Sequence, residues 1–72
     1  MRLSYYSDTD SLYIDLSSRA SVVSREISEG VILDYDDEDN LVGIDIDNAS
    51  RKLDLSELIT EALPVTSRET AA

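Results

Sequence analysis

Apolar residues recur at every second position in three stretches of this chain: Leu12, Ile14 and Leu16; Val31, Leu33 and Tyr35; Val42, Ile44 and Ile46. A period of two is the repeat of a β-strand, whose successive side chains point to opposite faces. Such a chain builds a sheet with one apolar face, and that face must then be covered. Leu3 and Tyr5, alternating with Arg2 and Ser4, predict a short first strand. Val22 to Ile27 predicts a further strand in one of two registers. Val23 and Ile27 point inward around Arg25, or Val22 does and Glu26 is buried; the first is preferred because it leaves Glu26 in water. Turn formers separate the strands at Ser7–Ser11, Ser17–Ala20, Glu29-Gly30 and the acidic stretch before Leu41. Gly30 fits a turn position with positive φ. Gly43, in mid-strand, marks a bulge or a close backbone approach.

After Asn48-Ala-Ser50 the period changes. Leu55, Leu58, Ile59 and Ala62 stand at i, i+3, i+4 and i+7, one face of a helix. Asp54 with Glu57 three residues on resembles a capping box, and Pro64 stops the pattern. The expected fold is α+β: an antiparallel sheet of about five short strands (two β-hairpins plus a connecting strand) with one C-terminal helix packed on it. Residues 1–63 form a single domain and 64–72 a loose tail.

A chain of 72 residues with no Cys has neither a large core nor a disulfide or thiolate metal site to support it. Self-association is the simplest remaining support, so a homodimer is expected. The longest apolar run is Val31-Ile-Leu33, and no hydrophobic segment follows Met1-Arg2, which together predict a cytoplasmic protein without membrane contact. Sixteen acidic against six basic residues leave a net charge of −10. Nucleic-acid binders need a basic stripe for the phosphates, and this chain has none. A basic protein partner, a cation or plain solubility accounts for this charge, and solubility is the simplest of the three.

The acid is concentrated. Seven carboxylates and no Lys or Arg lie between Asp34 and Asp47. Asp34, Asp36, Glu38 and Asn40 fall at every second position, as oxygen ligands do in a helix-flanked calcium loop. However, Asp39 stands where such a loop needs Gly, Asp45 where it needs the bidentate Glu, and the flanks are strands. A tight turn whose Asp and Asn side chains cap backbone amides accounts for the run better. Without His or Cys the chain lacks the commonest general base and the strongest nucleophile. Pairs such as Asp8/Asp10 or Asp45/Asp47 could do acid–base work only within a cleft that a domain of this size has little volume to form. No catalytic residue, metal site or cofactor is assigned. Tyr13, opposite its apolar neighbours, serves equally well as an interface anchor or as a cross-strand partner.

A shift of 29 positions pairs Tyr6 with Tyr35, Asp8 with Asp37, Asp10 with Asp39 and Leu12 with Leu41. The two turns therefore have similar chemistry. The alternating set then falls one residue later, on Val42, Ile44 and Ile46, so the second hairpin holds an extra residue in its turn or as a bulge near Gly43.

Tyr6-Ser-Asp-Thr-Asp-Ser-Leu-Tyr-Ile-Asp-Leu16 resembles the pattern Y-D-x-E-x-D-x-L-Y-I-x-L. Glu29-Gly-Val-Ile-Leu-Asp-Tyr-Asp36, Leu41-Val-Gly-Ile-Asp-Ile46 and Ala49-Ser50 resemble E-G-V-I-L-D-Y-D, L-V-G-I-E-I and A-S in that order. Over residues 3 to 50 the chain thus resembles a family of small prokaryotic proteins called domain of unknown function 2283. Members usually carry Gly in the second turn, where Asp39-Asn40 stands here and Asn can take the left-handed conformation. The resemblance implies no activity. Members are often encoded beside small toxin-like proteins, which implies an antitoxin-like role. The expectation is a noncatalytic, acidic, homodimeric protein-binding module whose partner is a basic protein. Asp36, Asp37, Glu38, Asp39, Asp45, Asp47 and Tyr13 form the expected contact set. The alternative is a divalent-cation-binding domain using the acidic hairpin turn.

Overall fold

The computed structural model describes residues 1–64. Five strands form one antiparallel sheet: β1 (Arg2–Tyr6), β2 (Ser11–Asp15), β3 (Val23–Ser28), β4 (Val31–Tyr35) and β5 (Leu41–Ile46). Their order across the sheet is β1-β2-β5-β4-β3. The expected hairpins β1–β2 and β4–β5 are both present, and β3 is an edge strand paired to β4. The chain leaves β2, crosses the ends of β5 and β4, and returns as β3, a Greek-key connection. Backbone bonds from Leu16 N to Val42 O (2.9 Å) and Val22 N to Tyr35 O (2.8 Å) hold both ends of that crossing.

Register decides which residues share a face. Leu12 lies opposite Ile46 and Ile14 opposite Ile44. Val31 and Leu33 meet the same Ile46 and Ile44 from the other side, while Leu3 and Tyr5 meet Ile14 and Leu12. The alternating residues therefore form one continuous apolar face. The pairing steps from Asp34↔Gly43 to Tyr35↔Leu41, leaving Val42 as the extra residue of a bulge beside Gly43. This is the extra residue that the offset between the two turns required. Gly30 has φ 73°, as its turn needs.

In β3 Val23 pairs with Tyr35 and faces the apolar side, and Glu26 takes the opposite face, as the preferred register had it. Ile27, expected inward, sits in a bulge between Glu26 and Ser28 and is exposed. An edge strand has neighbours on one side only, and all of β3 remains open to solvent.

The expected helix over 54–63 is absent. The one helix among the described residues is the single turn α1 (Ala49–Lys52), where the sheet ends. Residues 53–58 instead lie over β1 and β2 on the apolar face. Asp54 accepts the Ser56 hydroxyl (2.8 Å) and its carbonyl accepts the Glu57 amide (3.4 Å), a turn that does not propagate. Helices shorter than about 12–15 residues are marginal unless packed. Here Leu55 and Leu58 only border the groove over the sheet and stay exposed, so the segment buries too little apolar surface to hold a helix. The expected tail lies outside the described residues beyond position 64. Among the described residues no helix is long and apolar enough to cross a membrane.

The core is small. Leu12, Ile46 and Ala49 are buried together, with Ile14 and Ile44 packed against them. Ala49 is fully enclosed because α1 lies directly on the β2–β5 junction. A domain with so few buried side chains depends strongly on each. Leu12→Ala should cost about 2–5 kcal/mol, enough to leave much of the protein unfolded, and urea denaturation followed by circular dichroism would measure it.

Candidate functional site

The alternation that makes one face apolar collects acid on the other. Tyr13 and Asp15 of β2, Asp45 of β5, Ile32 and Asp34 of β4, and Ser24 and Glu26 of β3 share that polar face. Asp15 and Asp34 flank Gly43 from opposite sides. Tyr13 lies in the next row and leans across Gly43, so that its hydroxyl donates to Asp34 Oδ2 at 2.8 Å. Ser24 Oγ donates to Asp34 Oδ1 at 2.7 Å. The result is a side-chain belt from β2 over β5 to β4 and β3. Gly43 is the close backbone approach expected of it: a Cβ there would overlap the Tyr13 hydroxyl and lie 2.7 Å from Cζ.

The bond to Asp34 pushes the Tyr13 hydroxyl up to about 12, with burial and the charges of Asp34, Asp15 and Asp45 adding to it. Tyr13 therefore stays protonated and acts as a donor. Burial, then the charges of Asp47 and Asp34, raise Asp45. Asp47 lies at the far end of β5, accepting from Ser11 Oγ at 3.3 Å.

The acidic turn is built around Asp36. Its Oδ1 accepts from the amides of Glu38 (2.9 Å) and Asn40 (2.8 Å), and its Oδ2 from Asn40 Nδ2 (3.1 Å) and Arg19 Nη1 (3.2 Å). Asp36 is only 4 % exposed. Burial alone would raise its pKa, but the donors of Asn40, Glu38 and Arg19 outweigh it and hold the carboxyl at about 2. Through Arg19 the same carboxylate ties the β2–β3 crossing to the turn. Asp37, Glu38 and Asp39 stand exposed at the tip. Asp36, Asp37 and Glu38 bring carboxylate oxygens within 4.8 Å of one another. A cation there would compete with Arg19 and Asn40 for oxygens already in use.

The first turn has a corresponding centre. Asp10 accepts from Tyr5 Oη (2.7 Å), Ser50 Oγ (2.7 Å) and Ser50 N (3.1 Å), and its carbonyl accepts from Ala49 N (2.8 Å). The Ser50 hydroxyl, then the Tyr5 hydroxyl, lower its pKa. Asp10 and Asp39, matched by the 29-residue shift, both have positive φ, 55° and 64°. The left-handed residue of the second turn is thus Asp39, where the resemblance had pointed to Asn40.

The seven expected contact residues do not form one patch. Asp37, Glu38 and Asp39 mark the tip, while Tyr13, Asp45 and Asp47 lie on the polar face and Asp36 is internal to the turn. Asp34, Asp15 and Glu26 join that face although none of them was in the expected contact set. Strand parity alone would have found Asp34, which follows Leu33 and precedes Tyr35.

An acidic sheet face braced by a cross-strand tyrosine, with no assigned chemistry, is what the fold presents. Residues 2–50 match the family described as protein of unknown function (DUF2283), and the chain belongs to that family. No curated protein and no solved structure matches it.

Two measurements check this geometry. Gly43→Ala should cost about 1–3 kcal/mol by displacing Tyr13, and much less when Tyr13→Ala has already emptied the space; equal costs in a double-mutant cycle would contradict the contact. The second is acid stability. Folding lowers Asp36 from the ordinary aspartate value near 4 to about 2, so its stabilisation is full above that ordinary value and lost as pH falls toward the folded one. Asp36→Asn should lower the melting temperature at neutral pH, and the gap to the native protein should close across that window. Parallel melting curves at every pH would refute the role given to Asp36.

Proposed function

We propose that this chain is a noncatalytic binding module that acts as a cytoplasmic homodimer and receives a basic protein on its acidic sheet face and hairpin tip. The observation that carries the reading is the belt from Tyr13 to Asp34 and Ser24. It fixes acceptors on strands, where little conformational freedom is left to lose on binding. Half-buried Ile32 and Tyr13 supply an apolar centre, with Asp15, Asp45, Asp47 and Glu26 around them. That arrangement suits Lys and Arg side chains, whose stems pack while their heads meet carboxylates. An antitoxin-like role is the specific form of this reading, with the acidic face masking the nucleic-acid surface of a basic RNA-cleaving protein.

The partner to try is the product of the adjacent gene, co-expressed and then titrated by calorimetry. Binding should weaken about tenfold or more between low and high salt, and similarly on combining Asp37→Asn, Asp39→Asn and Asp45→Asn. Asp36 is excluded from that set because of its part in the turn. Affinity indifferent to both changes, or no binding, would remove the electrostatic reading.

A further inference from the structure

Among the described residues, the apolar face of the sheet is covered on one half only. Residues 53–58 close a groove of about 590 Å³ over β1 and β2, walled by Leu3, Tyr5, Leu12 and Ile14. Toward the other edge, Leu33 and Tyr35 stay half-buried and Val23 is exposed. Leu58 and Ile59 project from the covering segment, 73 % and 67 % exposed. The face thus has a raised half next to a low half, both apolar.

We propose that a second copy of this chain occupies this face, related by a twofold axis parallel to the strands, with the raised half of each copy seated on the low half of the other. This rests on the homodimer reading and assigns it a surface. The axis follows from shape and charge together. Rotation about the strand direction turns the sheet over and carries β1 of one copy above β3 of its partner, so raised meets low twice, as an isologous contact requires.

Charge selects the same axis. Arg25 lies on the apolar face of β3, over the Tyr35 ring at 5.2 Å from its centroid. Asp54 and Glu57 border the groove on the β1 side. The rotation carries each Arg25 to the β1–β2 side of the partner, where Asp54 and Glu57 lie, whereas an axis across the strands would keep Arg25 over the partner's β3 edge, away from those carboxylates.

The area is sufficient. Five strands about 4.8 Å apart, each of about five residues, present roughly 400 Å² in projection. The exposed side chains of residues 55–59 bring this to roughly 500 Å² a side, the lower limit for a specific interface.

Sedimentation equilibrium on the full chain tests the assignment. The native protein should run at twice its 8.0 kDa chain mass. Arg25→Glu alone, and Asp54→Arg with Glu57→Arg alone, should each raise the dimer dissociation constant about fivefold or more, with strand circular dichroism unchanged. Mixing the two variants in equal amounts should restore dimerisation as a heterodimer, because every contact then pairs opposite charges. A native protein that stays monomeric overturns the homodimer reading and this assignment together. A dimer indifferent to all three substitutions, or variants that weaken it without rescue on mixing, overturns the assigned face and axis alone.

Discussion

The tyrosine belt that braces the junction of the two hairpins exists because position 43 carries no side chain. β2 and β5 are the strands through which the hairpins meet, and Tyr13 must cross β5 at Gly43 to reach Asp34 on β4. The bulge at Val42 belongs to the same arrangement. It returns Val42, Ile44 and Ile46 to the apolar side after the second turn and places Gly43 between Asp15 and Asp34. Apolar packing beneath the seam and the tyrosine belt above it thus depend on one local register.

Two of the sixteen acidic residues are spent on holding the turns of the fold in place. Asp36 and Asp10 each gather several donors from segments far apart in sequence, and both carboxyls titrate below their ordinary range as a result. A small chain without disulfides gains from such centres, since each connects a turn to an element that would otherwise end free. In the first hairpin the connected element is α1; in the second it is the crossing to β3. Asp36 also shows why a loop with ligand-like spacing need not be a cation site: its lone pairs already face amide and guanidinium donors.

Strand positions, both hairpins, the Gly30 turn and the bulge near Gly43 were legible because a period of two and a one-residue offset are local patterns. The helix over 54–63 was misread for a physical reason. Spacing of i, i+3, i+4 and i+7 shows that a helix would be amphipathic, but it does not show that its apolar stripe finds a surface to pack on, and here those side chains stay exposed. Asp36 was placed on the surface because its main cation, Arg19, lies 17 residues earlier across a Greek-key connection. The polar face was legible only in part: parity marks Asp34, but Ser24 becomes its neighbour through the long-range order β5-β4-β3.

The two faces place opposite electrostatic demands on the proposed assembly. Each chain carries a net charge of −10, so bringing two copies together on their apolar faces works against like-charge repulsion, which the two Arg25 contacts offset only locally. A basic protein on the outward faces removes that repulsion. Partner binding and dimerisation are then linked with positive sign, each strengthening the other by the same factor. Salt separates them: screening favours the dimer by weakening self-repulsion and disfavours the basic partner by weakening attraction. An acidic face on a sheet with an apolar reverse thus acts on both contacts at once: in the proposed assembly the charge on one face sets how tightly the other face pairs, and a basic partner tightens a dimer that already forms without it.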